Sequence, residues 1–177
     1  MNKFVKMLGI FLLSTALFIG CKNNDDNSYQ SITLSDGNWT MVTEFELPTP
    51  SRIVITLKAT VTNGNYVFTS GTTTTVYTKA NFPGMDFSEM TDEEIQNDIE
   101  FLNILSFDTY SYDSENEEIL MTHTFTTEEL EEMKGNYDFS KIPSSAHITS
   151  NDNKTEYIIT ETENGETRTI TITKDSE

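Results

Sequence analysis

Few side chains in the sequence are suited to covalent or metal chemistry. The chain has one cysteine, Cys21, and two histidines, His123 and His147. One thiol excludes an internal disulfide, and this set is too small for a cysteine-rich zinc site or a three-histidine catalytic site. His123 alternates with Met121 and Phe125, so we expect a hydrogen-bonded histidine beside a core, not a catalytic base. Nucleophile-elbow, zinc-protease, phosphate-loop and dinucleotide motifs are missing, and the sequence predicts a non-enzyme without cofactor or metal.

Carboxylates, in contrast, are abundant. The 177 residues include 29 acidic side chains against 11 lysines and arginines, for a formal net charge of -18. Such a field repels phosphate backbones, so nucleic acid is not an expected partner. The acidic run 113–118 offers oxygen ligands for Ca²⁺, but Glu118 stands where an EF-hand loop needs glycine. We therefore expect a solvated hairpin loop, with Ca²⁺ binding as the alternative.

Four tyrosines are candidates for a glycan contact: Tyr66, Tyr77, Tyr110 and Tyr112. Aromatic planes pack on the apolar faces of sugars, and the tyrosine hydroxyl adds a donor. Tyr110 and Tyr112 share one face of a predicted strand, which supports this idea. Ordinary packing within a sheet predicts the same pattern and is the favoured interpretation.

The N-terminus has the pattern of an export signal. A short basic start precedes the apolar stretch 7–19, which at about thirteen residues is short for a bilayer span. It ends in Phe18-Ile19-Gly20-Cys21, which resembles the bacterial lipobox, with Phe18 where that family usually has leucine. The resemblance implies a lipoprotein signal peptide over 1–20 and lipidation of Cys21. Two or more acyl chains, such as palmitate, would then anchor the mature protein to a membrane.

Residues 21–30 are predicted to be the lipidated cysteine and a flexible acidic tether. They are polar and nearly free of apolar side chains, so they cannot contribute to a core. Asp25 and Asp26 follow Cys21 closely, which resembles the acidic surface-export signal of Bacteroidota lipoproteins. This resemblance implies an outer-membrane protein that faces the cell exterior. A solvated tether that faces the periplasm is the alternative.

From Gly37 onward, apolar residues alternate with polar ones, which is typical of strands with one buried face. Asn63-Gly64 is a hairpin signal, and Pro48 and Pro50 mark a connection between strands. The 28 threonines also favour strands. The most regular strand has its inward residues at Ile53, Ile55, Leu57, Ala59 and Val61. Further strands are predicted over 39–47, 66–68, 72–79 after Gly71, 107–112, 119–125, 156–162 and 167–174, with a short edge strand at 146–148.

The middle of the chain has a helical period over 91–106. Thr91 and Glu94 form a capping box, which places the start of this helix. Its buried stripe is predicted to contain Ile95, Ile99 and Leu102, widened by Phe101 and Leu105.

A shorter helix is predicted over 127–134. Thr126 and Glu129 form its capping box, and Gly135 marks its end. Both helices are amphipathic, so we expect them to lie on the sheet.

Two short segments resemble the lipocalins. Gly37-Asn38-Trp39 is similar to their Gly-x-Trp signature, and Thr155-Glu156-Tyr157 is similar to their Thr-Asp-Tyr signature. The resemblance implies an eight-stranded antiparallel barrel around a small apolar ligand, with Gly37 and Trp39 in structural roles. The sequence departs from the family through its central helix and through the missing C-terminal helix.

Together these patterns predict one β-rich domain over 31–177. Its expected class is mainly β, an antiparallel barrel or strongly curved sheet, lipocalin- or calycin-like, of about eight strands with two short helices. The expected function is that of a membrane-anchored cell-surface lipoprotein, a non-catalytic accessory or interaction module for a glycan or a partner protein. The alternative is a lipocalin-like carrier of a small apolar ligand. Large residues such as Trp39, Phe45 and Ile53 would fill a small barrel, which favours the first.

Overall fold

The computed structural model describes residues 28–46, 51–135, 137–163 and 166–176. Within these ranges the chain is mainly β, with two α-helices and one short 3-10 helix at Lys79–Asn81. The helices are α1 Asp92–Leu105 and α2 Thr127–Lys134. The strands are β1 Tyr29–Gln30, β2 Gly37–Glu46, β3 Ser51–Thr62, β4 Asn65–Thr78, β5 Thr109–Asp113, β6 Glu118–Thr124, β7 Ile142–Pro143, β8 His147–Ser150, β9 Glu156–Glu163 and β10 Glu166–Lys174.

Eight strands form one antiparallel sheet in the order β5-β6-β4-β3-β2-β10-β9-β8. This confirms the prediction of a mainly antiparallel β domain with about eight strands and two short helices. β5 and β8 lie at opposite ends of the order, and no pairing joins them within the described ranges. The sheet is therefore open there, and a closed barrel is not found.

The β3–β4 hairpin has the predicted turn. Asn63 has a φ of 52° and Gly64 a φ of 76°, as a type I′ turn requires. The two strands pair from Thr62 and Asn65 at the turn to Ser51 and Tyr77 at the far end, with a bulge where the register shifts at Lys58 and Ala59. The bulge lets a long strand twist further, which helps the sheet wrap around its core.

One face of the sheet carries the main core. Met41, Leu57 and Gly71 are cross-strand partners in the centre, and side chains alternate in direction along each strand. The predicted inward residues of β3 are confirmed, since Ile55, Leu57, Ala59 and Val61 are buried and Ile53 packs beside them. α2 and the segment 137–142 cover this face with these buried residues: Leu130, Met133, Tyr137, Phe139 and Ile142.

α1 covers a second, smaller core at the β5 end of the sheet. Ile95 and Ile99 of α1 pack there with Phe87 and with Ile119 of β6. Tyr110 of β5 packs beside this cluster. Both helices therefore lie on the sheet, as expected.

Both helices begin at their predicted caps. The Thr91 hydroxyl accepts from the Glu94 amide, and the Glu94 carboxylate accepts from the Thr91 amide. Thr126 and Glu129 form the same reciprocal pair at α2. These bonds satisfy amides that lack partners within the helix, so each start is specified locally.

Several boundaries differ from the sequence prediction. Tyr29 and Gln30, which the sequence places in the tether, form β1 and pair with β7. The Gln30 side chain also donates to the carbonyls of Pro143 and Ala146, which explains why this polar segment is held. β5 begins at Thr109 instead of Phe107, and one strand, β4, runs through Gly71. The predictions for Leu47, for the prolines at 48 and 50, and for the turn at 164–165 lie outside the described residues.

Candidate functional site

The most unusual surface feature lies at the C-terminal end of α1. Phe101, Ile104 and Leu105 expose 60%, 79% and 67% of their surface, and Phe107 exposes 102%. We call these four residues the α1 apolar patch. Single exposed apolar residues are ordinary on proteins, but a contiguous group of large ones indicates a contact surface.

Helical spacing gathers the patch on one side of α1. Phe101, Ile104 and Leu105 follow the i, i+3, i+4 pattern, so they lie together on a side of α1 that is turned away from buried Ile95 and Ile99. The prediction that Phe101 and Leu105 widen the buried stripe is therefore wrong. α1 has more apolar residues than its contact with the sheet can cover, and the surplus faces solvent.

Asn103 holds this end of α1 against the sheet edge. Its side-chain Nδ2 donates to the Tyr110 carbonyl at 2.9 Å, and its Oδ1 accepts from the Tyr110 amide at 2.6 Å. The amide side chain thus makes both bonds that a neighbouring strand would make with this residue of β5. It protects an edge that would otherwise pair with another chain, and it fixes which face of α1 points outward.

Phe107 stands in a short loop with anchored neighbours. The Asp108 amide donates to the Ser106 hydroxyl at 3.1 Å. The Asp108 carboxylate Oδ1 lies 2.8 Å from Nδ1 of His123 on β6. Nε2 of His123 lies 3.3 Å from the Glu129 carboxylate at the start of α2. The loop next to Phe107 is therefore tied to β6 and α2.

His123 is the satisfied histidine that the sequence predicted. Burial lowers the pKa of the imidazole, but hydrogen bonds with Asp108 and Glu129 outweigh burial, and the pKa is raised above its ordinary 6.5. Burial raises the pKa of Glu129, yet bonds from Thr126 and His123 lower it overall. The cluster favours a charged imidazole between two carboxylates, which is a structural link.

Three acidic residues border the patch on the outward surface of α1, next to the neutral, exposed Gln96 and Asn97. Glu93 and Glu100 are exposed and Asp98 is half-buried, and the helix contains no basic residue. Among ion pairs between described residues, none includes these three carboxylates. The patch therefore has an acidic border that α1 itself leaves unneutralised.

The four tyrosines proposed for sugar stacking are divided between the two cores. Tyr66 packs in the main core, where burial raises its pKa to about 12 and its hydroxyl donates to the Tyr137 carbonyl. Tyr77, Tyr110 and Tyr112 pack beside the smaller core. They do not form one open face, and ordinary sheet packing, the favoured interpretation, accounts for their positions.

The other polar candidates do not gather into a chemical site. Asp113 accepts from the amides of Glu115 and Asn116, which is the geometry of a tight hairpin loop. The Glu118 carboxylate forms an ion pair with the Arg52 guanidinium, with 2.6 Å between Oε1 and Nη1. His147 is exposed on β8, far from this loop in the sheet order. Within the described part of the chain, no group of three histidines, cysteines or acids is placed to hold a metal ion.

The inner face of the sheet is largely covered. Tyr137 is fully buried on it, and its hydroxyl lies 3.1 Å from the buried hydroxyl of Thr43. Arg168 forms an ion pair with Glu161 and lies 6.0 Å from the centre of the Phe45 ring. The side chain of Arg168 is 16% exposed, so this pair belongs to the wall of the core.

The two segments that resemble lipocalin signatures meet in space. Trp39 is fully buried, its Nε1 donates to the Ser35 carbonyl at 2.8 Å, and its ring lies 6.3 Å from that of Tyr157. Gly37 has a φ of +132°, a conformation that side chains rarely adopt. Both residues carried over from the resemblance thus have structural roles.

Comparison with known proteins finds no matching family model, no matching curated protein and no matching solved structure. The predicted lipidation site, Cys21, lies outside the described residues. Within the described ranges, neither helix has the length and apolar character needed to cross a membrane.

Sequence reasoning missed the α1 apolar patch, although a signal was present. Six of the fourteen residues of α1 are large and apolar. A single buried stripe uses about three or four positions in every two turns, so the number of apolar residues alone does not indicate a second face. The available sign was the position of Ile104, which had no place in the predicted stripe.

Proposed function

We propose that the protein is a lipid-anchored, non-catalytic interaction module that contacts a partner protein through the α1 apolar patch. The observation that carries this proposal is the exposure of three large apolar side chains on one side of α1, together with the exposure of Phe107 in the loop that follows. Leaving such residues in water forgoes roughly 1.5–3 kcal/mol of burial free energy for each side chain. A partner that covers them would recover part of that free energy.

The lipobox resemblance at Cys21 and the acidic residues after it support a membrane-anchored position for this module. They favour attachment to the outer membrane, with the domain facing the cell exterior. A diacylated cysteine keeps the domain close to the membrane while the surface of α1 stays free for contact. In this proposal the anchor supplies proximity, and the patch supplies recognition.

A partner protein is favoured over a glycan. Glycan recognition would use aromatic planes together with hydrogen-bonding groups, and the candidate tyrosines are packed into the two cores. The patch instead offers aliphatic and phenyl groups without a tyrosine hydroxyl. Protein interfaces have such apolar centres with charged rims.

The carrier function of a lipocalin-like barrel is the weaker candidate. The contact between Trp39 and Tyr157 is in its favour. Against it, β5 and β8 do not pair within the described ranges, and α2 and the segment 137–142 cover the main core. Native mass spectrometry of the protein from its own cells tests this function, since a reproducible bound lipid-like mass would support the carrier instead.

Cross-linking in living cells tests the interaction module. A photoreactive phenylalanine analogue would replace Ile104 or Phe107, and a control would carry it at exposed Thr149 on β8. We expect one discrete adduct from the two patch positions and none from position 149, with competition by added purified domain. Adducts of equal strength at all three positions, or none at the patch, would contradict the proposal.

The anchor has a separate test. Cys21→Ser should release the protein from the membrane fraction and remove the mass increase that acylation gives. A matched Ser28→Cys variant on the same background would show whether a thiol elsewhere restores attachment, which we do not expect. Membrane attachment that survives Cys21→Ser would reject the anchor.

A further inference from the structure

We infer that the partner segment that occupies the α1 apolar patch is a cationic amphipathic helix. This inference rests on the proposed function, because it names the chemistry of the partner at the same surface. It is carried by the distribution of charge and apolar groups along the outward side of α1.

The outward side of α1 has two parts. Glu93 and Asp98 border its first half, with the neutral Asn97 between them, while the apolar patch begins at Phe101 and continues past the end of the helix. Glu100 borders the patch. At 1.5 Å of rise per residue, the surface from Glu93 to Leu105 is about 18 Å long. This length matches three turns of a helix laid along it.

The shape of the surface fits a helix. Phe101, Ile104 and Leu105 form a ridge with i, i+3, i+4 spacing, which is the pattern that packs into the groove between side chains of a second helix. Asn103 and the buried Ile95 and Ile99 hold the opposite side of α1 on the domain. The ridge is thus presented by an anchored element, and docking would require little ordering of this chain.

The acidic residues of this surface favour a partner segment with positive charge. Glu93, Asp98 and Glu100 have no ion pair among the described residues, and the whole chain carries -18. Lysine or arginine beside the apolar side chains of the partner would complement this border and speed association. Anionic phospholipid would be repelled, and a second copy of the chain would bring together two strongly acidic molecules.

The probe for the test is a synthetic helical peptide made of leucine and lysine at amphipathic spacing. It has about 18 residues, of which about twelve can lie along the surface, because a shorter peptide would hold little helix in water. A peptide of the same composition in scrambled order is the control for charge alone. The protein is the chain from residue 21 onward with Cys21→Ser, which contains every described residue. Binding is followed by the anisotropy of a dye on the peptide over a series of salt concentrations.

Two variants separate the two parts of the surface. Ile104→Ser with Phe107→Ser removes apolar contact at positions that are exposed, so the fold is kept. Glu93→Gln, Asp98→Asn and Glu100→Gln together remove the acidic border. The matched control removes three exposed carboxylates from α2 with these changes: Glu128→Gln, Glu131→Gln and Glu132→Gln.

We expect the amphipathic peptide to bind and each α1 variant to weaken binding by about tenfold, with less than about twofold change in the α2 control. Equal binding of the scrambled peptide, or equal losses in the α1 and α2 charge variants, would show attraction by net charge alone and overturn the inference. Patch-dependent binding to phosphatidylcholine vesicles or patch-dependent dimers would assign the surface to a bilayer or a second copy. If cells give a protein adduct at position 107 but the peptide fails to bind, the proposed function stands and this inference falls.

Discussion

Nδ1 of His123 lies 2.8 Å from Oδ1 of Asp108, the residue that directly follows the fully exposed Phe107. Through this contact, and through Nε2 facing Glu129, one imidazole joins β6 to the loop before β5 and to the start of α2. A protonated imidazole donates from both nitrogens, so the link is strongest when His123 is charged.

Stability should therefore depend on the charge of His123. Its folded pKa is raised, so its contribution is complete below the unfolded value of 6.5 and is lost as the pH rises through the raised value. Between about pH 6 and about pH 9, we expect the wild type to lose about 1 kcal/mol of unfolding free energy relative to His123→Gln. Urea unfolding at several pH values measures this difference.

His147→Gln is the matched control, because His147 is exposed on the edge strand β8. It should keep the pH dependence of the wild type. If His123→Gln shows the same pH dependence as the wild type, the two carboxylate contacts do not hold the charged imidazole.

The capping boxes should each stabilise the protein measurably. Thr91→Ala removes the acceptor for the Glu94 amide, and Thr126→Ala removes the acceptor for the Glu129 amide. Each substitution is expected to cost about 1 kcal/mol in chemical unfolding. The corresponding serine variants keep the hydroxyl and should stay close to the wild type, and alanine variants as stable as the serine variants would contradict the capping role.

Gly71 allows α2 and β3 to approach β4 closely. A Cβ at this position would lie 2.6 Å from Cδ2 of Leu57 in β3, 2.7 Å from Cδ2 of Phe125 and 3.1 Å from Cδ2 of Leu130 in α2, inside a packed core. Gly71→Ala should therefore destabilise the protein by about 1–3 kcal/mol in thermal or urea unfolding. Gly135→Ala is the control, since its nearest neighbour would be 3.6 Å away and its φ is -66°.

Asn103 should protect the edge of β5 from solvent and from other chains. Asn103→Ala removes both side-chain bonds to Tyr110. We expect hydrogen exchange at the Tyr110 amide to become at least about tenfold faster, together with a greater tendency to self-associate. Asn97→Ala, at an exposed position on the same helix, should leave this amide unchanged. Unaltered exchange in Asn103→Ala would show that other groups protect the edge.

Much of the local structure could be predicted from the sequence. Thr91 and Thr126 mark the helix starts because a capping box acts between residues three apart. Asn63-Gly64 specifies its turn because few residues accept positive φ. The alternation in β3 identified its buried face because side chains repeat every second residue.

The candidate surface could not be predicted in the same way. The apolar residues of α1 fit more than one buried stripe, and the choice depends on the contacts of Ile95 and Ile99 with β6 and of Asn103 with β5. These partners come later in the chain, and spacing within the helix carries no information about them.

The sequence by itself thus determined most of the secondary structure and the acidic charge. Only the tertiary structure decided that β5 and β8 do not pair with each other in the described ranges, that His123 lies between Asp108 and Glu129, and that Phe107 faces solvent. The physical reason is the distance along the chain over which each kind of interaction acts. Caps, turns and alternation are set by neighbours within a few residues, whereas the exposure of a side chain depends on which distant element covers it.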